Sequence, residues 1–501
     1  MTSGLLLERE GRASAGAAEP FAESLLGECL PALHGHRSFI GQGRRVARDG
    51  AGRSVCELAV APRLLQVRML DHAADAATAL RAMGDEEWLA IFRGAARRIL
   101  EGLDGPGGED TSVLAAVAER ASRTSGLPVT RLLRAWRSLA GNLAEIEEVL
   151  RSQAPGGRLD AFRTGASGAT WRWLPAGRNA AIRIPGNFPT INVTWLQVLA
   201  ARRPVVLAAP PEDPFTPLLL ARALVAAGLP DGALSLIHGD GAVLWQKADQ
   251  VIWPGDLPPE LLARGAVVRS YHQGRSKVVL APGSRPRELW PRLARMVVQG
   301  CGRLCTNASS LVVIGERDAA KRAGLELGVA LAEFPALPLS HPNAIVPAFP
   351  LRERGEDVAS RIRGAVARGA SDLTESAGLG PLEVEHGGTL QLRPTVLLVE
   401  AEDPLFGAEL PFPFVTVTWA SAAEVPRLSR GSLIVGVIGE APELVPGLLL
   451  EPSIDKLFSG DSFDHGYHPD EPHEGYLADF LFHKKTVLLD GVDAPAPGEA
   501  T

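Results

Sequence analysis

The stretch VVLAAPPEDPFTPLLLARALVAAGLPDGALSLIHGDG, Val205–Gly241, decides how the rest of the chain is read. Apolar runs over Pro204–Ala208 and Ala233–His238 have the length and composition of buried strands. Between them, Pro217–Ala227 has helical spacing and is closed by Gly228 with Pro230 just beyond, a helix stop. Further strands are expected at Ala180–Ile184 and Gln250–Trp253. Short β-like runs alternating with helical ones predict a parallel α/β sheet of the kind that binds a nucleotide.

Upstream, the turn-rich APGG at Ala154–Gly157 separates this sheet from a different texture. Residues from about Pro62 to Gln153 have apolar side chains at three and four spacing, as in Trp88, Leu89, Ile91, Phe92 and Ile99, and again in Leu132, Leu133, Trp136, Leu139, Leu143 and Ile146. They predict several packed helices, with Trp88 and Trp136 in the core rather than in a ligand pocket. Residues 1 to about 65, with Gly and Ala clusters at Gly11–Ala18 and Gly41–Gly52, predict a poorly ordered start followed by short strands. Downstream, Val278–Ala281, Ser310–Ile314, Thr395–Glu400 and Val415–Trp419 predict a second sheet, with a domain change near residue 282. Glu451–Asp490, rich in His, Asp, Pro and Gly before a strand-like TVLL, reads as a long loop returning to the first unit.

The 501 residues exceed what one hydrophobic core usually supports. Apolar content of 46% and charged content of 22% place the chain among globular proteins. A net charge of -7, with Lys and Arg scattered, argues against nucleic acid as a partner. There is no run of about 18 uncharged apolar residues and no signal-peptide pattern, so no membrane span and a cytoplasmic location are expected. Cys29, Cys56, Cys301 and Cys305 are too few for a disulfide scaffold, and the Cys301–Cys305 pair lacks further ligands for a zinc site, so no metal is expected.

Two segments carry chemistry. In GRLCTNASSLVV, Gly302–Val313, a cysteine follows a Gly-containing turn and precedes small residues and an apolar strand. Small neighbours leave the Cys305 sulfur accessible to a carbonyl carbon, and nearby backbone N–H groups can lower its pKa and stabilise an oxyanion. In RIPGNFPTINVTW, Arg183–Trp195, a predicted strand ends in a Gly-Asn-Phe-Pro turn. Asn187 is placed there to complete an oxyanion hole with the Cys305 N–H, although an Asn in such a turn is commonly only a turn former.

Together, the PGNFP turn, the GRLC loop and the Val205–Gly241 segment in this order resemble the aldehyde dehydrogenase superfamily over roughly residues 170–440. The resemblance implies an aldehyde dehydrogenase-like α/β fold. It divides into a mostly helical N-terminal region packing on the cofactor domain (1–155), a Rossmann-like nucleotide-binding domain (156–282), a catalytic domain carrying the nucleophilic Cys (283–435), and a C-terminal return segment and oligomerisation element (436–501). It also implies self-association. Three departures narrow it. The stretch SYHQGRSK stands where hydrolytic members carry their water-activating Glu, and that position falls on or near His272. Ala208 or Ala209 replaces a ribose-binding Lys, and WPGDLPPE leaves only Gly255 of a Gly-rich phosphate turn. Pro185 and Gly186 are carried as cofactor-side residues, and Glu409, in ELPFPFVTV, as the ribose-binding Glu, with Phe412 and Phe414 as core.

These departures, the helical N-terminal part and PHEG at Pro472–Gly475 make the chain resemble the LuxC-type acyl-CoA reductases. That resemblance implies NADPH-dependent (or NADH-dependent) reduction of an acyl thioester, fatty acyl-CoA or an acyl carrier, to an aldehyde through an acyl-Cys305 intermediate. His473 is expected on a surface loop, and Cys301 as a bystander. The rival readings are a hydrolytic aldehyde dehydrogenase with His272 as base, and a non-redox acyltransferase or scaffold that has lost its coenzyme.

Overall fold

Every residue of Val205–Ala209 and of Leu234–His238 is buried, which is why both read as continuous apolar runs rather than alternating ones. The computed structural model describes residues 22–105, 112–165, 171–283, 285–286 and 288–488. The Gly11–Ala18 cluster and the last residue of TVLL lie outside the described residues.

The first sheet comprises β1 (Ala32–His34), β2 (Arg37–Phe39), β3 (Ala180–Arg183), β4 (Val205–Ala209), β5 (Leu234–His238), β6 (Gln250–Pro254) and β7 (Val268–Tyr271), in the order β7-β6-β3-β4-β5-β1-β2. The five strands from β7 to β5 are parallel, and β1 and β2 add an antiparallel edge. The second sheet comprises β8 (Lys277–Leu280), β9 (Ser310–Ile314), β10 (Ser371–Asp372), β11 (Thr395–Leu398), β12 (Phe414–Ala420), β13 (Ser432–Ile438) and β14 (Ile454–Ser459), in the order β10-β11-β12-β9-β8-β13-β14. All its pairings except β10 with β11 are parallel.

The helical stretch forms α1 (Arg63–Ala82), α2 (Asp85–Leu103), α3 (Val113–Ser125), α4 (Val129–Ala144) and α5 (Ile146–Gln153). Its amphipathic faces join the core of the first sheet through α6 (Val193–Ala200) and α7 (Phe215–Ala226). Trp88 and Trp136 are fully buried. A buried indole must satisfy its N–H, and these donate to the Ala200 carbonyl at 2.8 Å and to Thr216 Oγ1 at 2.9 Å. Both tryptophans therefore tie the N-terminal helices to the sheet and are core residues. Among the described residues no helix is long and apolar enough to cross a membrane.

Two expectations change. Glu451–Asp490 is not one loop: it contains β14, a short helix at Leu477–Leu481 and a strand, Phe482–Thr486, pairing antiparallel with Trp171–Pro175. β14 is an edge strand whose one buried side chain is the ion-paired Lys456, so it lacks an apolar run. The second sheet also gains β13, SLIVGVI, all seven residues of which are buried.

Candidate active site

Cys305 lies in the turn between α8 (Leu289–Val298) and β9. Gly300, Cys301 and Gly302 all adopt left-handed φ, at 52°, 61° and 73°. A side chain at Gly302 would collide with the Phe412–Pro413 backbone, so glycine is required by approach as well as by φ. Cys301 is buried, its thiol pushed up to about 12 by desolvation, and it does not line the cavity.

Two polar side chains hold this turn. Asn307 Nδ2 donates to the carbonyls of Met296 at 2.6 Å and Gln299 at 2.9 Å, while its Oδ1 accepts from Leu304 N at 2.7 Å. Buried Arg303 donates to three carbonyls: Pro411 at 3.0 Å, Ser125 at 2.8 Å and Ala348 at 2.8 Å. Neither residue stands out in the sequence; the carbonyls they satisfy come from four separate segments. Breaking such a charged network leaves several groups buried without partners. Arg303→Met is expected to cost about 3 kcal/mol, read as a lower denaturation midpoint together with faster alkylation of Cys305.

The floor under Cys305 comes from the segment that leads into β8. Ser276 Oγ donates to the Cys305 carbonyl at 3.0 Å, and a Cβ on Gly274 would collide with that same carbonyl. Beside it, Asn187 Nδ2 donates to the Arg303 carbonyl at 2.8 Å, leaving its second N–H free. The structure thus brings Asn187 and the Cys305 turn together across two sheets.

The imidazole found against the sulfur is that of His473. Its Nε2 is 3.2 Å from Cys305 Sγ. Its ring stands edge-on to Tyr271 and Tyr467, at centroid distances of 5.7 and 5.2 Å. The surface-loop expectation for His473 is corrected: its segment is pinned inward by Lys456 Nζ to Glu471 at 3.3 Å, by Gln197 to the Pro469 carbonyl at 3.3 Å and by Arg269 to the Glu474 carbonyl at 2.5 Å. His272, the residue expected to replace the missing carboxylate, lines the same cavity but is exposed, with Nε2 3.1 Å from Ser270 Oγ.

Burial favours neutral forms here. It pushes the Cys305 thiol up to about 12, helped by the Glu409 and Glu474 charges, and pushes His473 down to about 4, helped by Lys456 and Arg269. The resting pair is therefore a neutral thiol and a neutral imidazole. Desolvation also raises Glu409 and Glu474 to about 7. Asn187 Oδ1 and His473 Nδ1 are buried and have no hydrogen-bond partner among the described residues.

The cavity around these groups has a volume of about 410 Å³. One part is formed by the carboxyl ends of β3 and β6, through Arg183–Pro185 and Pro254–Gly255. β3 is flanked by β4 on one side and β6 on the other, so the strand order reverses there, the topological switch where open α/β sheets bind ligands. Pro185 and Gly255 line the cavity, whereas Gly186 packs against Pro210 and Glu212. Gly255 has open space around its Cα and Glu409 presents a half-buried carboxyl, its Oε1 accepting from Arg275 N at 2.7 Å. This end fits a nicotinamide riboside. The next turn, with Pro258 and Pro259 opening a four-residue helix, offers fewer N–H donors to a pyrophosphate. Phe412 and Phe414 are core.

Solved structures align with nearly the whole chain. HpcC from Thermus thermophilus superposes with a TM-score of 0.75, covering 93% of this chain and 94% of its own at 18% identity. An NADP-dependent enzyme of E. coli gives 0.74 with 93% and 98% covered at 16% identity, and an indole-3-acetaldehyde dehydrogenase complexed with NAD+ gives 0.71 with 91% and 96% at 18%. The fold is that of the aldehyde dehydrogenases. The family model "Aldehyde dehydrogenase family" matches residues 67–248. A phenylacetaldehyde dehydrogenase of Pseudomonas fluorescens is 32% identical over 161 residues, 29% of this chain and 32% of its own length. A putative aldehyde dehydrogenase of Staphylococcus aureus (strain USA300) is 44% identical over 144 residues, 26% and 30% of the two chains. The alignments thus span about a third of these curated relatives. Residues 67–248 thus resemble the aldehyde dehydrogenase family in sequence, and the chain shares its fold.

Proposed function

We propose that the protein is an NAD(P)-dependent oxidoreductase of the aldehyde dehydrogenase type that reduces an acyl thioester to an aldehyde through Cys305. The observation that carries this reading is the 3.2 Å contact of Cys305 Sγ with His473 Nε2 beside Asn187, in a cavity shared with the strand-end crevice. The imidazole takes the thiol proton as Sγ bonds to the acyl carbon. The oxyanion is stabilised by the free Asn187 N–H and the Cys305 N–H. On collapse the bond to coenzyme A or a carrier thiol breaks, and the leaving thiolate takes the proton back from His473. Bound at the crevice, NADPH or NADH supplies the hydride that reduces the acyl group. Asn187 then stabilises the second oxyanion, the Cys305–carbon bond breaks as the aldehyde leaves, and the Cys305 thiolate is reprotonated by a proton taken up from solvent through His473.

A hydrolytic aldehyde dehydrogenase is the second reading. It is favoured by Glu409 and Glu474, both close enough to raise the Cys305 pKa and both near 7 themselves, the range of a general base. NADPH oxidation at 340 nm with acyl-CoA thioesters tests the two. Thioester-dependent oxidation with aldehyde formed supports reduction; aldehyde-dependent NAD(P)+ reduction yielding carboxylate, with no thioester turnover, supports hydrolysis.

Glu409 gives a pH test of coenzyme binding. Ionised, this carboxylate would be the stronger acceptor for a ribose hydroxyl of a bound coenzyme, and burial has raised it to about 7, so ionisation is incomplete at neutral pH. NADPH affinity is expected to tighten from pH 6 to pH 8, by at most about tenfold per unit. In Glu409→Gln, calorimetric titration should show a weaker and pH-independent affinity.

A further inference from the structure

A second wall of the cavity, apart from the strand-end crevice, is built by α4, α6 and the 3-10 turn Pro189–Asn192. Asn142, Thr190 and Thr194 line it, partly buried, and among the described residues their side chains make no hydrogen bond. We propose that this wall selects a short acyl group bearing a neutral hydroxyl or amide, and disfavours a long alkyl chain; the proposal rests on acyl transfer to Cys305.

Three unpartnered donor–acceptor groups on one wall lose their water when the substrate enters. An alkyl chain gives them nothing in return, whereas a hydroxyl or amide can both donate and accept. The chemistry of the wall also excludes an anion. Glu471, which lines the cavity beside this wall from the C-terminal segment, is acidic, and it already holds Lys456 in an ion pair at 3.3 Å and His465 in a hydrogen bond at 2.7 Å. Length is limited too. Gln153 Nε2 donates to Gln197 Oε1 at 3.1 Å, and Gln197 is bonded in turn to the Pro469 carbonyl, so this side is crossed by a polar chain rather than opening into an apolar tunnel. About 410 Å³ must hold both the acyl group and the nicotinamide end of the coenzyme, at the low end of the ~300–1,000 Å³ of pockets that enclose one drug-sized ligand.

The test uses the full-length protein and four thioesters: 3-hydroxybutyryl-, butyryl-, octanoyl- and palmitoyl-CoA. Cys305 acylation is followed by intact mass, in parallel with NAD(P)+ reduction by the corresponding aldehydes. A wall built for a hydroxyl should prefer the hydroxylated over the plain four-carbon group by at least about tenfold in kcat/KM. The double variant N142L/T194V should lose that preference while still reacting with the butyryl group. Octanoyl or palmitoyl transfer as fast as 3-hydroxybutyryl transfer, or a preference unchanged in the variant, would overturn the proposal. If no thioester acylates Cys305 but the hydroxyaldehyde is preferred and the variant loses it, acyl transfer fails and the wall's selectivity stands. Inertness towards every thioester and every aldehyde overturns both.

Discussion

Cys305→Ala is expected to abolish covalent acylation and to lower turnover by about 10³–10⁶-fold, the range found when a nucleophile acting as part of a unit is removed. The substitution deletes one sulfur and leaves the turn's supports untouched: the Cys305 carbonyl still accepts from Ser276, and Asn307 and Arg303 still hold the backbone. Coenzyme affinity and thermal stability should therefore stay close to wild type, since Glu409 and the strand-end crevice are unchanged. Intact mass after incubation with acyl-CoA reads the first effect, and a nucleotide titration reads the second. Acylation persisting in the variant, or moving to Cys301, would remove Cys305 from the mechanism. Cys301 is a poor substitute, buried outside the cavity with its thiol held protonated.

His473→Gln should lower acylation by about 10²–10⁴-fold, the usual contribution of a positioned base. It should also change the pH profile in a way that a loss of packing would not. In the wild type the thiol is neutral and the imidazole neutral above about 4, so acylation should be nearly flat through neutral pH and fall as pH drops through about 4, where protonated His473 can no longer accept the thiol proton. In the variant only the spontaneously ionised thiolate reacts. With the thiol pushed up towards 12, the rate should then rise about tenfold per pH unit across the neutral range. A variant with a flat profile would mean that His473 only packs against Tyr271 and Tyr467, and that another group, with Glu474 next in sequence, takes the proton.

The stability consequence of these burials has two signs. His473 and the fully buried His238 are both lowered to about 4, so the unfolded chain binds more protons and stability is lost as pH falls from about 6.5 towards 4. Glu409 and Glu474 are raised to about 7, so the native chain binds more protons and stability is lost as pH rises from about 4.5 through 7. The two pairs oppose one another over nearly the same window.

What the sequence determined by itself is local and periodic. Val205–Gly241 specifies strand, helix and strand because continuous apolar runs and a glycine-closed helix are written in consecutive residues. The helices of residues 63–153 are legible because their apolar stripes repeat every three to four positions, and Cys305 and Asn187 stand out because each sits in a short Gly-containing turn. β13 is equally legible as an apolar run, although the expected second sheet omits it; β14 is not, because an edge strand with an ion-paired lysine carries no such run.

Only the tertiary structure decided which imidazole meets the sulfur. His272 is 33 residues before Cys305, where the resemblance places a water-activating Glu, and His473 is 168 after it, yet it is His473 that reaches the sulfur. The outcome depends on contacts no local pattern encodes: Lys456 with Glu471, Gln197 with Pro469, and Arg269 with Glu474 together draw a polar, loop-like stretch onto the thiol. The same holds for Arg303 and Asn307, whose role is to satisfy backbone carbonyls that become neighbours only when the chain has folded. Periodicity reports which face of an element is buried; it carries no information about which buried polar group will find which partner, because that pairing is set by where distant backbones end, and burying a polar group unpaired is too costly to be left to chance.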